Sequence, residues 1–139
     1  MIQSKDRSRW FGASDTNMIM GKWDTKHFAR WWLVKLGVIS YDFTTTAMRT
    51  GTAYEQTILD WMGIDKRNRQ IKKRHLRLRV NLDGEKGNII IEVKTHKNDF
   101  MVTKAYWQQC QVEMYAGKKD CQIAAYQVTD ANMKISFYR

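Results

Sequence analysis

The sequence predicts an α/β (α+β) fold in which helices flank a mixed central β-sheet. Helical patterns fill residues 14–62, a β-hairpin pattern covers 76–95, and one more helix precedes a final pair of strands over 121–138. Elements in this order form a sheet with helices packed on it. A chain of 139 residues without a linker or a repeat suits one core, so we assign residues 1–139 to a single domain.

Each of the three helices predicted before the hairpin ends at a glycine. The first covers residues 14–20 and begins at a Ser-Asp pair typical of an N-cap, and the second covers 27–36 after a capping Thr25. The third and longest covers 44–62. The aromatic side chains of the second helix are expected to be core residues rather than platforms on which bases stack.

The longest helix carries one acidic residue in a position that is half-buried by pattern. Glu55 is flanked by Gly51 one turn before it and by Leu59 one turn after it. A carboxylate in that setting either pairs with a lysine or points at a metal ion, and this helix alone leaves both options open.

The hairpin shows the clearest alternation in the chain. Leucine and valine alternate with polar residues over 76–82, and residues 89–95 form a second, β-branched strand. Asp-Gly at 83–84 and Gly-Asn at 87–88 predict that the connection occupies the residues between these two strands.

This alternation would bring three charged side chains together. If the apolar residues of 76–82 share a face with those at 89, 91 and 93, then Asp83, Glu92 and Lys94 gather on the opposite face, near one end of the hairpin. Two neighbouring carboxylates repel each other unless a cation lies between them. Hard oxygen ligands with room for water and a phosphate are typical of a Mg²⁺ site. The alternative is an ordinary surface hairpin, because about one acid-x-Lys triplet is expected by chance in such a chain.

The charge balance predicts a polyanionic partner. The net charge is +10, from 24 lysines and arginines against 14 acidic residues, and a nucleic acid is the most common partner of such a protein. A basic run over residues 67–75 leads into the hairpin and includes Lys72, Lys73 and Arg74. A solvated strand edge would also carry lysines, but beside the hairpin we favour contacts to a phosphate backbone.

A further phosphate contact is suggested near the N-terminus. Ser14 offers a hydroxyl group and free backbone N–H groups at a helix start, with Arg7 and Arg9 nearby. Plain helix capping explains the same residues equally well.

Other classes of site are not supported by the sequence. Cys110 and Cys121 lack C-x-x-C spacing and have no histidine partner at zinc distance, so neither a zinc site nor an iron–sulfur cluster is predicted. Both are expected to be reduced core residues. No apolar run reaches membrane length and the N-terminus has no signal-peptide pattern, so we expect a cytoplasmic protein with no membrane partner.

The helix over residues 102–116 places one polar side chain among small apolar ones. Gln109 falls on the face that should pack on the sheet, and a buried glutamine needs hydrogen-bond partners, such as a site carboxylate or a water. Gln108, Gln111 and Glu113 are expected on the outer face of this helix.

Five short strings follow one another along the chain: GASD at 12–15, GTAYE at 51–55, LDG at 82–84, IEVKT at 91–95 and YWQQCQVEM at 106–114. Together they resemble the PD-(D/E)XK nucleases, and more narrowly the lambda-exonuclease and YqaJ-type viral recombination nucleases. The resemblance implies a restriction-endonuclease-like core. Leu82 stands where the superfamily name has proline, and the chain is shorter than the lambda-type enzymes, which assemble into ring-shaped trimers.

The resemblance implies a metal-dependent DNA nuclease, typically a 5′-to-3′ exonuclease that acts on double-stranded DNA ends in phage-type recombination or DNA processing. Its partners would be double-stranded DNA, a single-strand annealing protein and further copies of the chain, in the cytoplasm of a bacterial host if the source is viral. An endonuclease, nickase or junction-cleaving enzyme on the same fold fits the local motifs equally well. A non-catalytic DNA-binding module fits less well, because the acidic residues and the lysine of the motif are all present.

The resemblance also implies roles residue by residue. Asp83 and Glu92 would bind Mg²⁺ or Mn²⁺ together with the carbonyl group of Val93. Lys94 would position or activate the attacking water, and Glu55 would help to hold a metal ion or its water.

Two further roles come from the same resemblance. Gln109 would orient groups at the site. Ser14, with Arg7 or Arg9, would contact a 5′ phosphate.

Overall fold

The computed structural model of the protein describes residues 8–40, 46–128 and 134–138. Its elements, in chain order, are a 3₁₀ helix at Ala13–Asp15, α1 (Thr16–Gly21), α2 (Lys26–Lys35), α3 (Thr46–Trp61), β1 (Lys66–Lys73), a 3₁₀ helix at Arg74–Leu76, β2 (Leu78–Lys86), β3 (Ile89–His96), α4 (Lys104–Gly117), β4 (Asp120–Gln127) and β5 (Lys134–Tyr138).

The five strands form one sheet in the order β1-β2-β3-β4-β5. β3 and β4 are parallel, and the other three pairs are antiparallel. The parallel pair needs a crossover, and α4 supplies it. The predicted fold class, a mixed sheet flanked by helices, is therefore confirmed. No helix among the described residues is both long enough and apolar enough to cross a membrane.

The predicted cap of α2 and the predicted C-terminal glycines of α2 and α3 are present in the structure. Thr25 caps α2, because its Oγ1 accepts a hydrogen bond of 3.1 Å from the N–H of Phe28. Gly37 and Gly63 follow α2 and α3 with φ angles of 77° and 67°, which only glycine adopts without strain. The aromatic residues of α2 stack with Phe11, but Trp32 keeps 41% of its surface exposed, so this cluster is only partly core.

The predicted N-cap at Ser14–Asp15 has a different function. Asp15 occupies the N-cap position of α1, but its side chain makes no capping hydrogen bond. Instead its carboxylate accepts hydrogen bonds from the N–H of Gly12 (2.7 Å) and from Nε1 of Trp31 (2.8 Å). It also forms an ion pair of 2.8 Å with Lys35, which is only 7% exposed. These contacts attach the N-terminal segment to α2.

The basic run before the hairpin forms an edge strand. β1 has the sequence KRNRQIKK and pairs with β2 from Lys66↔Glu85 to Lys73↔Leu78. The basic residues thus lie on a strand at the edge of the sheet, which is one of the two explanations that the sequence allows. The hairpin is part of a three-stranded antiparallel unit.

The hairpin turn lies at only one of the two predicted turn signals. β2 continues through Asp83 and Gly84 to Lys86, and the turn is the two residues Gly87 and Asn88. The prediction that Asp-Gly belongs to the connection is wrong. Gly84 is needed for close packing instead, because a Cβ atom there would lie 2.8 Å from Cγ2 of Ile64.

The predicted distribution of apolar side chains between the two faces of the hairpin is also wrong. Val80 and Leu82 pack with Ile90 on the side of the sheet that α4 covers. Ile91 packs on the opposite side, with Leu59 of α3. Leu82 of β2 therefore shares a face with Ile90, whereas the prediction paired it with Ile89, Ile91 and Val93.

The cause is a local break in the alternation of β2. Leu82 and Glu85 both face the α4 side although they are three residues apart, since Glu85 contacts Lys119 just after α4. A regular strand would place them on opposite faces. The break falls at Asp83 and Gly84, near Asn68 of β1, whose φ is 58°.

Candidate active site

The candidate site lies where β2 and β3 separate. Their pairing covers only Gly84–Lys86 with Ile89–Ile91. Beyond it, the carboxylate of Asp83 takes the place of a strand partner: its Oδ2 accepts a hydrogen bond of 2.9 Å from the backbone N–H of Val93. Asp83 is thereby brought next to Glu92, as the sequence predicts, although the faces of the hairpin differ from the prediction.

The carboxyl group of Asp83 lies in an environment that opposes its ionisation. Burial raises its pKa well above the ordinary value, and the negative charge of Glu92 raises it further. A hydrogen bond with the carboxyl group of Glu55 and the charge of Glu55 act in the same direction, and only the N–H of Val93 opposes them. A cation bound beside Asp83 would act in the opposite direction and favour its ionised form.

Glu92, Lys94 and Gln109 form a closed set of hydrogen bonds. Nζ of Lys94 lies 3.2 Å from Oε1 of Glu92 and donates a hydrogen bond of 3.0 Å to Oε1 of Gln109. Nε2 of Gln109 donates one of 2.8 Å to Oε1 of Glu92. The prediction that Gln109 partners a site carboxylate is borne out by this contact.

Lys94 keeps its positive charge in this setting. Burial alone would lower its pKa, but the charge of Glu92, the hydrogen bond to it and the charge of Asp83 outweigh burial and raise the pKa above the ordinary value. Lys94 also lies 4.6 Å from the ring centroid of Tyr106, a cation–π distance.

Two residues that the sequence places on the outer face of α4 are in fact buried. Gln108 is 8% exposed and Glu113 is fully buried, whereas Gln111 is exposed as predicted. Burial raises the pKa of Glu113 well above its ordinary value, and the charges of Glu92 and Asp83 add to this effect. Glu113 is therefore a further acidic residue beside the site, and the 3.6-residue spacing from Gln109 is the signal that could have revealed it.

The structure describes two of the three residues predicted to contact a phosphate near the N-terminus. Ser14 is exposed in the 3₁₀ helix that packs on α4. Arg9 has a φ of 66°, and its carbonyl group accepts a hydrogen bond from Nε of Arg77. Arg7 lies outside the described residues, so its predicted contact to a phosphate stays a prediction.

The other predicted phosphate contacts lie at the end of β1. Lys72 and Arg74 are exposed, and Lys73 is half-buried between them. Lys72 and Arg77 both lie over the ring of Trp10, at 5.4 and 4.4 Å from its centroid. This cluster is at the opposite end of β2 from the hairpin turn.

The donor set of the candidate site fits a hard divalent cation. The carboxyl groups of Glu55, Asp83 and Glu92 come from α3, β2 and β3, and Glu55 and Glu92 are only 6% and 5% exposed. Oxygen ligands of this kind suit Mg²⁺ or Mn²⁺. In the described structure their oxygen atoms do not all lie within 4.8 Å of one another. Glu92 instead contacts Lys94 and Gln109.

Comparison with known proteins gives a match at the level of the fold. Superposed on the alkaline exonuclease LHK-Exo from Laribacter hongkongensis, the chain has a TM-score of 0.66, with 92% of this chain and 76% of that chain covered. The chain shares the fold of an alkaline exonuclease. Their sequences are 16% identical, so the likeness concerns the fold alone.

The remaining comparisons add no functional information. The superposition on the protein SSO0001 covers 99% of this chain and 69% of that chain, at 11% sequence identity. Its TM-score of 0.48 is too low to support an argument. No protein-family model matches the chain. No curated protein matches its sequence.

Proposed function

We propose that the protein is a divalent-metal-dependent deoxyribonuclease of the PD-(D/E)XK type. The observation that carries the proposal is the junction of β2 and β3, where Asp83 is hydrogen-bonded to Val93 beside the closed set formed by Glu92, Lys94 and Gln109. Acidic groups from three elements and one charged lysine meet there. This donor set suits phosphodiester hydrolysis, in which negative charge builds up on a phosphate.

The metal ion would be held by Glu55, Asp83 and Glu92, together with the carbonyl group of Val93. When bound, Mg²⁺ or Mn²⁺ lowers the pKa of a water molecule and neutralises charge on the phosphate.

Lys94 would supply a positive charge. Burial would lower its pKa, but the charge of Glu92, the hydrogen bond to it and the charge of Asp83 outweigh burial and raise it. An ammonium group at this place orients the attacking water and stabilises the negative charge of the transition state. Gln109 fixes the orientation of Lys94 and Glu92 through its two hydrogen bonds.

DNA is the proposed substrate because of charge and fold together. The chain carries a net charge of +10, which favours a polyanion. Its fold is that of a protein described as an alkaline exonuclease. We infer that this chain acts on the ends of double-stranded DNA in the 5′-to-3′ direction, with Ser14 and Arg7 or Arg9 at the 5′ phosphate. An annealing protein and further copies of the chain are proposed partners.

One gel experiment tests the reaction. Linear duplex DNA with a 5′ phosphate and covalently closed circular duplex are each incubated with the protein, with Mg²⁺ or with EDTA. We expect the linear DNA alone to be degraded, and only with Mg²⁺. Nicking of the circle would instead favour an endonuclease on the same fold. No cleavage of either substrate, with DNA binding retained, would leave a DNA-binding module.

The variants Asp83→Asn and Lys94→Ala test the site. The amide oxygen introduced by Asp83→Asn would still accept the hydrogen bond from Val93, so the local fold is preserved while the negative charge is lost. We expect each variant to lose at least about 100-fold in cleavage rate and to keep its affinity for DNA. Asp65→Asn, which changes an exposed acidic residue, is the matched control and should cleave normally. Cleavage by Asp83→Asn at the wild-type rate would contradict the proposed site.

A further inference from the structure

A second cluster of ligand-type side chains lies beneath the candidate site and is not used by the proposed reaction. The Sγ atoms of Cys110 and Cys121 and a carboxylate oxygen of Glu113 all lie within 4.8 Å of one another. Sγ of Cys121 is 3.9 Å from Oε2 of Glu113. Both cysteines are free thiols. Among the residues that the structure describes, these three form the group of histidine, cysteine or acidic side chains whose ligand atoms all lie within 4.8 Å of one another.

The fold brings these residues together although their sequence spacing is not that of a metal motif. Cys110 and Glu113 lie one turn apart on α4 and point to the sheet. Cys121 is at the start of β4, which follows α4 directly, and it packs in the same core cluster as Cys110. The parallel crossover from α4 to β4 therefore builds the cluster, which explains why C-x-x-C spacing is absent.

One atom of the cluster lacks a partner in the interior. Glu113 is fully buried, and its Oε1 has no hydrogen-bond partner. A buried polar atom without a partner is costly, and burial of this carboxyl group opposes its ionisation. A cation bound between the carboxylate and the two sulfur atoms would supply the missing interaction.

We propose that Cys110, Glu113 and Cys121 form a binding site for a thiophilic divalent cation, with Zn²⁺ as the ion that fits best. Tetrahedral Zn²⁺ with Zn–S bonds of about 2.3 Å places two sulfur ligands about 3.8 Å apart, which is compatible with the observed cluster. Thiolate ligands favour Zn²⁺ over Mg²⁺. On binding, the ion replaces the protons of both thiols and the proton of the Glu113 carboxyl group, all of which pass to the solvent, and no redox change occurs.

The fourth position of the ion would be taken by water. The charge of Glu92, a proposed Mg²⁺ ligand, acts to raise the pKa of Cys110, Glu113 and Cys121. The two sites therefore have different ligands, and the charge of Glu92 couples them. The proposal does not rest on nuclease activity.

The test is binding of Co²⁺ to the purified, reduced protein, because the absorption spectrum of bound Co²⁺ depends on its ligands. We expect one thiolate-bound Co²⁺ per chain, measured by the near-ultraviolet charge-transfer absorption of the cobalt–thiolate bond. Zn²⁺ should displace it, since Zn²⁺ binds such sites more tightly. Cys110→Ala and Cys121→Ala should each lose the absorption. Glu113→Gln should keep the thiols but lower the affinity for Zn²⁺ by about tenfold or more.

Asp83→Asn is the control that separates the two sites. A Co²⁺ ion at the proposed Mg²⁺ site has oxygen ligands and gives no thiolate band, so Asp83→Asn should abolish cleavage and retain the band. No charge-transfer band in folded wild-type protein would overturn the proposal. So would a band that survives in both cysteine variants.

A second measurement covers the case in which the cysteine variants do not fold. Wild-type protein is alkylated with iodoacetamide in the presence of Zn²⁺, of Mg²⁺ or of neither, and modified thiols are counted by mass spectrometry. We expect Zn²⁺ alone to slow the modification of both cysteines. Equal rates of modification in all three conditions would contradict the site.

Discussion

Gln109 is the residue on which the arrangement of charges at the candidate site depends most directly. It donates a hydrogen bond to Glu92 and accepts one from Lys94, so its amide oxygen and nitrogen have fixed positions. Lys94 and Glu92 also contact each other at 3.2 Å. Removing the amide would leave each charged group with one partner fewer and with greater freedom to move.

We expect Gln109→Leu to lower the rate of DNA cleavage by about 10- to 100-fold, the usual effect of removing a residue that orients metal ligands. Affinity for DNA should be unchanged, because Gln109 lies at the candidate site and not in the cluster of basic residues around Trp10. Gln111→Leu changes an exposed glutamine of the same helix and should cleave normally. Single-turnover cleavage with saturating protein measures the step directly. A wild-type rate for Gln109→Leu would show that Gln109 does not orient these groups.

The sequence predicts some of these residues for a clear physical reason and misses others. Gln109 is recognisable because a polar residue in an apolar stripe needs a partner. Gln108 is not recognisable as buried, and Glu113 is recognisable only by its spacing from Gln109, because these residues give α4 a polar inner side and weaken its amphipathic pattern. The helix is polar on that side because it covers the candidate site.

Among the elements, β1, β2 and the connection after α4 are held together by one buried carboxylate. Arg69 donates two hydrogen bonds to Glu85, of 3.0 and 2.7 Å, and Lys119 donates one of 3.0 Å. Burial of Glu85 would raise its pKa, but the hydrogen bonds and charges of Arg69 and Lys119 together outweigh burial and lower it. The ionised form of Glu85 therefore stabilises the fold.

This arrangement predicts a pH dependence with a definite sign. A carboxyl group whose pKa is lower in the folded state stabilises the fold above its unfolded-state pKa, about 4.5. That contribution is lost as the pH falls through the lowered pKa. Asp83 and Glu113 have raised pKa values and act in the opposite direction, so the effect of Glu85 must be isolated by comparison with a variant.

The variant is Glu85→Gln, which we expect to lower the free energy of unfolding by about 2 kcal/mol at pH 7. Urea unfolding of both proteins between pH 7 and pH 3 measures the difference. It should be constant above about pH 5 and should shrink below the ordinary pKa of a glutamate. A difference that stays constant down to pH 3 would mean that the ion pairs do not depend on ionised Glu85.

The elements themselves are predicted from the sequence where apolar periodicity is strong. β1 carries a single aliphatic residue, Ile71, so nothing in its pattern marks a strand, and only pairing with β2 makes it one. Asp83–Gly84 has the composition of a turn but lies within β2. The Asp83 carboxylate accepts a hydrogen bond from Val93, and Gly84 allows close packing against Ile64. Local propensity is overridden at these positions by packing and by the candidate site.

At the scale of the whole molecule, one cluster of basic residues lies around Trp10 at one end of β2. Lys72 and Arg77 lie over its ring, and Arg74 is exposed in the turn between β1 and β2. Asp83 is five positions after Leu78 in β2, which corresponds to about 17 Å along a strand. Duplex DNA rises about 3.4 Å per base pair, so the two regions could contact one duplex about five base pairs apart. The net charge predicts a polyanionic partner but not this placement.

We expect the double variant Lys72→Ala/Arg74→Ala to bind duplex DNA more weakly whatever its sequence, because contacts to phosphates carry no sequence information. Each lost phosphate contact lowers the slope of log K against log salt by about 0.9, so the slope should fall by about 2. Lys86→Ala/Lys118→Ala removes the same charge from exposed residues near the hairpin turn, and its slope should stay close to that of the wild type. Fluorescence anisotropy over a series of salt concentrations measures both. If the two double variants weaken binding equally, affinity depends on net charge alone, and the surface around Trp10 is not the DNA contact.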